Sequence, residues 1–279
     1  MSVQLLIRDG NPYWYLSPDI WVVPGNDPSG PPGSPIAGQP SYLWAHVANT
    51  GDTDVSGVRV DFYWANPAFQ VLRSTSTMVG SAFADVAAGG GQDALCLVAW
   101  IPVMVNNGHE CLVAVANHSA DPLPSPPPDD FDPPAYRQVA QKNLTVLQAS
   151  MHSFPRSLTI PGSQRSEKAV EVVAEVGGEL DELSLQRLGL RDIRPTRDKM
   201  VEVGLDHNPQ CFGEKERLGP TRLQIVVPRG QSTSIYASIR ARQLAKNEYQ
   251  LVRFEEKQDG KVLGGLAFVV VPEGKEKES

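Results

Sequence analysis

Three short runs near the N-terminus constrain the fold more than any other feature. They are residues 17–24 (SPDIWVVP), 41–51 (SYLWAHVANTG) and 57–65 (GVRVDFYWA). Each is rich in β-branched and aromatic residues and is bounded by Pro, Gly, Asn or Asp, the punctuation of short strands. In the third run Val58, Val60 and Phe62 alternate with Arg59, Asp61 and Tyr63. That period of two marks an antiparallel strand with one buried face. Ala94–Trp100, Cys111–His118 and Val139–Leu147 read as further strands. No long helical pattern lies between these runs, which disfavours parallel βαβ units and predicts an all-β sandwich.

Composition shifts near residue 150. Residues 1–150 carry five basic and thirteen acidic side chains and all five Trp, whereas residues 151–279 carry twenty basic and nineteen acidic. Two different surfaces predict two domains, 1–150 and 151–279, with the second starting near Ser153. In the second, Lys168–Val176, Arg222–Val227, Ser234–Arg240, Tyr249–Glu255 and Val262–Val271 read as strands. Leu180, Leu183 and Leu188 are spaced as on a short helix or as in a loop with one turn. The expected architecture is two tandem immunoglobulin-like β-sandwich domains, the second smaller and ending in a charged, disordered tail at Glu273–Ser279. Gly25–Gly38 and the acidic, proline-rich Asp121–Pro134 are expected as surface loops, since their prolines remove backbone donors.

The order Ser17-Pro-Asp-Ile-Trp-Val, then Gly38-Gln-Pro40, then a strand ending Val47-Ala-Asn-Thr-Gly51, then Val60-Asp-Phe-Tyr-Trp-Ala65, resembles the bacterial cell-adhesion-related (CARDB-like) modules. Trp100-Ile-Pro102, Gly108-His-Glu-Cys-Leu-Val-Ala114 and Ala140-Gln-Lys-Asn-Leu-Thr-Val146 extend the resemblance over about residues 13–148. It implies an immunoglobulin-like sandwich that serves as a spacer, adhesion element or accessory module. Such modules usually ride on long secreted proteins, and the proline-rich loop is longer than a plain hairpin needs.

Several function classes are disfavoured. A net charge of −7 argues against nucleic acid as the main partner. No apolar run approaches the ~20 residues of a membrane span, so no membrane insertion is expected. The first residues show no signal peptide, which points to a cytosolic protein or one assembled on a particle rather than exported. Three cysteines cannot form a closed disulfide framework. Cys96 and Cys111 lie in apolar runs as either a bridge or two buried thiols, and Cys211 sits in a loop.

No catalytic constellation is visible. No Gly-x-Ser-x-Gly elbow occurs, and Gly89-Gly-Gly91 lacks the Lys-Ser/Thr of a phosphate loop and reads as a turn. His109, Glu110, His118, Asp121, Asp129, Asp130 and Asp132 can gather at one sandwich end, but their spacing fits no metal-ligand motif and reads as a solvated acidic loop. No cofactor is implied. Trp21, Trp44 and Trp100 are expected in the core. Tyr13, Trp14 and Tyr15 point to both faces of any strand, so they read as an interface patch or as a segment capping the core. With Asp129, Asp130, Phe131 and Asp132 they are the interface candidates. The expected role is a non-catalytic binding or assembly module with a protein or multi-subunit partner. The alternatives are a surface adhesin or glycan binder, and an accessory or inhibitor of a hydrolase.

Overall fold

The computed structural model describes residues 2–103, 110–150, 155–211, 216–242 and 244–273. His109, Ser153 and the tail beyond Glu273 therefore lie outside the described residues. The described residues are all-β apart from one short α-helix and a single 3-10 turn at Arg73–Thr75. It divides into two units. The first comprises Met1–Asn66, Val71–Asn143 and Asp181–Leu190, and the second Pro67–Gln70, Leu144–Leu180 and Arg191–Ser279.

The first unit holds β1 (Leu5–Leu6), β2 (Ile20–Pro24), β3 (Ser41–Asn49), β4 (Val55–Ala65), β5 (Thr77–Val86), β6 (Gly91–Leu95), β7 (Cys111–Asn117) and β8 (Val139–Lys142). β3 pairs with β1 and β2 along one edge and β6 along the other. The opposing sheet runs β5-β4-β7-β8, antiparallel throughout. Leu43, Ala45 and Val47 from one sheet and Val58, Val60 and Phe62 from the other meet in a shared core. These are the residues that the period-two pattern assigns to the buried face. β7 is buried on both faces. Leu112, Ala114 and Ala116 enter the inter-sheet core, and Val113 and Val115 pack on Phe131 and Val139 outside it. That double burial explains its unbroken apolar sequence.

The second unit holds β9 (Leu144–Gln148), β10 (Arg156–Pro161), β11 (Lys168–Val176), β12 (Arg194–Pro195), β13 (Val201–Asp206), β14 (Arg222–Val227), β15 (Ser232–Ala241), β16 (Glu248–Gln258) and β17 (Lys261–Val271). One sheet runs β10-β15-β13, and the other runs β14-β11-β16-β17-β9 with β12 added beside β16. Val170, Val172, Phe254 and Phe268 from the larger sheet pack against Leu158, Ile235 and Leu205 from the smaller.

The continuous run Val139–Leu147 is two strands. β8 ends at Lys142 in the first unit, Asn143 is buried, and β9 begins at Leu144 beside β17 in the second. The helix α1 (Glu182–Arg187) belongs with the first unit. Asp181 caps it by accepting from the Ser184 amide at 2.6 Å, and Leu185 and Leu188 are its buried side chains. The strand read at Ala94–Trp100 ends at Leu95, and Trp100 rejoins β3 through one bridge to Ser41.

Candidate interaction surface

The β5-β4-β7-β8 sheet has two lateral edges, and the chain treats them differently. Along β8, the Ser17 amide donates to the Gln141 carbonyl at 2.8 Å and the Asn143 amide to the Tyr15 carbonyl at 2.9 Å. Leu16 bridges Lys142. The aromatic segment thus covers this edge. Tyr15 is fully buried, while Tyr13 and Trp14 are half-buried, their rings 6.3 and 5.7 Å from that of Tyr15. Tyr15 is thus folded over the sheet edge, while Tyr13 and Trp14 keep part of their surface open.

Along β5 no described strand pairs with the outer edge. Native edges are commonly protected by Lys, Pro or inward-facing charge. β5 has one charged residue, Asp85, and its carboxylate accepts from the Gly57 amide at 2.8 Å. A register shift opposite Phe62/Tyr63 is its single irregularity beyond the turn end. Phe83 is 70% exposed and Met78 43%. Beside them runs the segment after β6, where Leu97 is 74% exposed and Val98, Ile101 and Val103 are also exposed. Gly80 ties the two together: a Cβ there would fall 2.8 Å from Val98 Cγ2 and 2.9 Å from Cys96 Sγ. An uncapped strand edge and a row of large apolar side chains therefore lie together. Scattered exposed apolar residues are ordinary, but a group of this kind is not.

One carboxyl sits at the border of this patch. Glu110 is buried, accepts from the Val103 amide at 2.8 Å, and is pushed up to about 7 by burial, against the lowering effect of that hydrogen bond.

The residues of the acidic loop are placed differently from one another. Phe131 is core, 5.0 Å from the Tyr63 ring, with the Arg73 guanidinium 4.2 Å from its face. Asp129 is exposed but holds the 3-10 turn, accepting from the Ser74 amide at 2.8 Å and its hydroxyl at 2.7 Å. Asp130 bridges Leu72, and Asp132 is exposed. Asp121 binds Arg137 and the Leu5 amide, and His118 Nδ1 accepts from the Ala120 amide. Among the described residues no three His, Cys, Asp or Glu stand together as metal ligands. Cys96 and Cys111 are buried free thiols and Cys211 is exposed.

Trp100 and Trp21 are both buried, whereas Trp44 is half-buried, and of the three Trp100 alone enters the inter-sheet core. Ile20 and Val22 point inward, so Trp21 faces outward, stacked on half-buried Trp44 with ring centroids 5.6 Å apart. Arg187 from α1 covers Trp21 at 4.0 Å and pairs with fully buried Asp19, which also takes a two-pronged contact from Arg8. Nearby, the Lys142 amine is fully buried and donates to the Ile20 carbonyl at 2.9 Å. Burial first, then the Arg187 charge, lowers it to about 7.

The second unit carries a polar cleft of about 630 Å³, lined by Glu179, Arg194, Arg197, Asp198 and Glu248 among others, with Arg194 paired to Glu248 at 3.3 Å.

No family model and no curated protein matches the sequence. Among solved structures the chain is similar to the CupB6 tip adhesin from Pseudomonas aeruginosa, at 11% identity and a TM-score of 0.27 over 98% of this chain and 99% of that one. It is also similar to red sea bream transglutaminase, at 11% identity and 0.26 over 92% of this chain and 32% of that one. At such scores neither likeness bears on site or activity.

Proposed function

We propose that this protein is a non-catalytic binding module that docks a protein partner by strand addition to β5. The observation that carries the reading is the open β5 edge flanked by Phe83, Met78, Leu97, Val98 and Ile101. A partner strand satisfies the free backbone groups of the edge, and the apolar row supplies pockets for its alternate side chains. The opposite edge is already covered by residues 15–17, which leaves β5 as the docking strand. The all-β architecture and the short motifs of the first 148 residues accord with a CARDB-like immunoglobulin-like module in an adaptor or structural subunit. The aromatic triplet is folded onto β8 rather than displayed as a platform, so the protein reading is preferred to the glycan one.

The double variant Phe83→Asp, Leu97→Asp tests the assignment. It is expected to lose a partner that the wild type retains at fixed stoichiometry, with an unchanged circular dichroism spectrum. Retention of that partner by the folded variant overturns it.

A further inference from the structure

The core of the second unit contains two charged groups, Lys168 and Glu256, with half-buried Gln70 beside them. Lys168 opens the inward row of β11 that continues through Val170 and Val172, and Glu256 extends the inward row of Val252 and Phe254 on β16. Glu256 is completely buried, and the Lys168 side chain is 8% exposed. Burying such a pair in an apolar core commonly costs more in desolvation than the attraction returns. The Lys168 amine stands 2.5 Å from Glu256 Oε1 and 3.3 Å from the side-chain carbonyl oxygen of Gln70. It also donates to the Pro161 carbonyl at 3.2 Å. Glu256 Oε2 has no hydrogen-bond partner among the described residues.

Gln70 is held in this position by its neighbours. The Phe69 amide donates to the Thr159 carbonyl at 3.0 Å, and the Thr159 amide to the Pro67 carbonyl at 3.1 Å. Phe69 is fully buried. Gly264 lets the segment lie flat on β17, since a Cβ there would fall 1.9 Å from the Phe69 carbonyl oxygen. An amine, a carboxamide and a buried acid are thus fixed together, with the carboxamide reaching partly exposed surface.

We propose that Lys168 and Gln70 become joined by a side-chain amide, with Glu256 as the proton carrier. The Lys168 ammonium passes a proton to Glu256, and the neutral Nζ attacks Gln70 Cδ. The Nζ–Cδ bond forms, the Cδ–Nε2 bond breaks, Glu256 delivers the proton that lets Nε2 leave as ammonia, and the carboxylate so formed takes the second Nζ proton, leaving a neutral amide beside a neutral acid. The reaction is an exchange of one amide for another, so no oxidant, reductant or cofactor enters. Burial pushes the Glu256 carboxyl up, against the pull of the Lys168 charge, which favours the neutral acid that the transfer needs. Fixed geometry supplies the rate, since an intramolecular attack of this kind has an effective molarity of roughly 10⁵ M or more. The product replaces a buried charge pair with a neutral amide and closes a ring between positions 98 residues apart. It is independent of the docking role assigned to β5.

Intact mass spectrometry of the denatured full-length chain decides the matter. The expected mass is one ammonia below that of the sequence, with the tryptic peptide 60–73 linked to the peptide 166–187. Glu256→Gln and Lys168→Arg are expected to restore the full mass. A wild-type chain at full sequence mass overturns the proposal, whether or not the variants fold. So does an ammonia loss that maps elsewhere, such as a succinimide at an asparagine.

Discussion

Lys142 and Glu110 are both buried ionisable groups, and they tilt stability in opposite directions with pH. The Lys142 amine is lowered to about 7 from 10.5. Between those values the unfolded chain binds the extra proton, so this group's contribution to stability increases as pH rises from about 7 toward 10.5. Lys142→Met removes that rise, and a buried charge exchanged for an apolar side chain commonly stabilises by about 1 to 4 kcal/mol. The expected outcome in urea titrations is a variant more stable than wild type at pH 7, with the gap narrowing by pH 10. Glu110 behaves oppositely. Its carboxyl is raised to about 7 from 4.5, so the folded state binds the extra proton in that window and stability falls as pH climbs through it. Glu110→Gln keeps an acceptor for the Val103 amide and is expected to gain up to about 2 kcal/mol at pH 8 and little at pH 4.

At the scale of elements, α1 acts as a clasp within the first unit. Its Arg187 lies between the Trp21 face and the Asp19 carboxylate, and also donates to the Pro18 carbonyl. Arg187→Ala uncovers the outward tryptophan and leaves Asp19 to Arg8 alone. A loss of about 2 to 4 kcal/mol is expected, with a red shift in tryptophan fluorescence. A variant with wild-type urea midpoint and emission would contradict the clasp. The helix itself is legible from the spacing of Leu180, Leu183 and Leu188, but its place in the first unit is not, since nothing in residues 181–190 names the sheet they cover. Strands with strict alternation, such as β4, were equally legible. β5 is not legible because Gly80, Ala82 and Ala84 give its inward face too little bulk to register as apolar. Trp21 is buried as expected, but beneath Arg187 of α1 rather than between the sheets. In a run of Ile20, Trp21, Val22 and Val23 every residue is apolar, so composition cannot tell the core face from the face covered by a helix.

At the scale of the whole molecule, the chain is organised as two β units that each take a short segment from the other's stretch of sequence. The composition break near residue 150 marks the change of surface, while the structural change falls between Asn143 and Leu144 and is invisible in an unbroken apolar run. The candidate contacts split the same way. Tyr15 and Phe131 are large, apolar and buried, and an aromatic residue in a loop carries no mark of whether it faces water or packs beneath its own loop. The open edge of β5 is a property of sheet order, which local sequence does not encode. The central claim is that a partner strand joins this edge, and hydrogen exchange of the captured complex measures it directly. The account predicts that amides of residues 77–86 exchange more slowly in the complex than in the free protein, while those of β8 are unchanged. Protection confined to β8, to the acidic loop or to the second unit, with β5 unaltered, would contradict it.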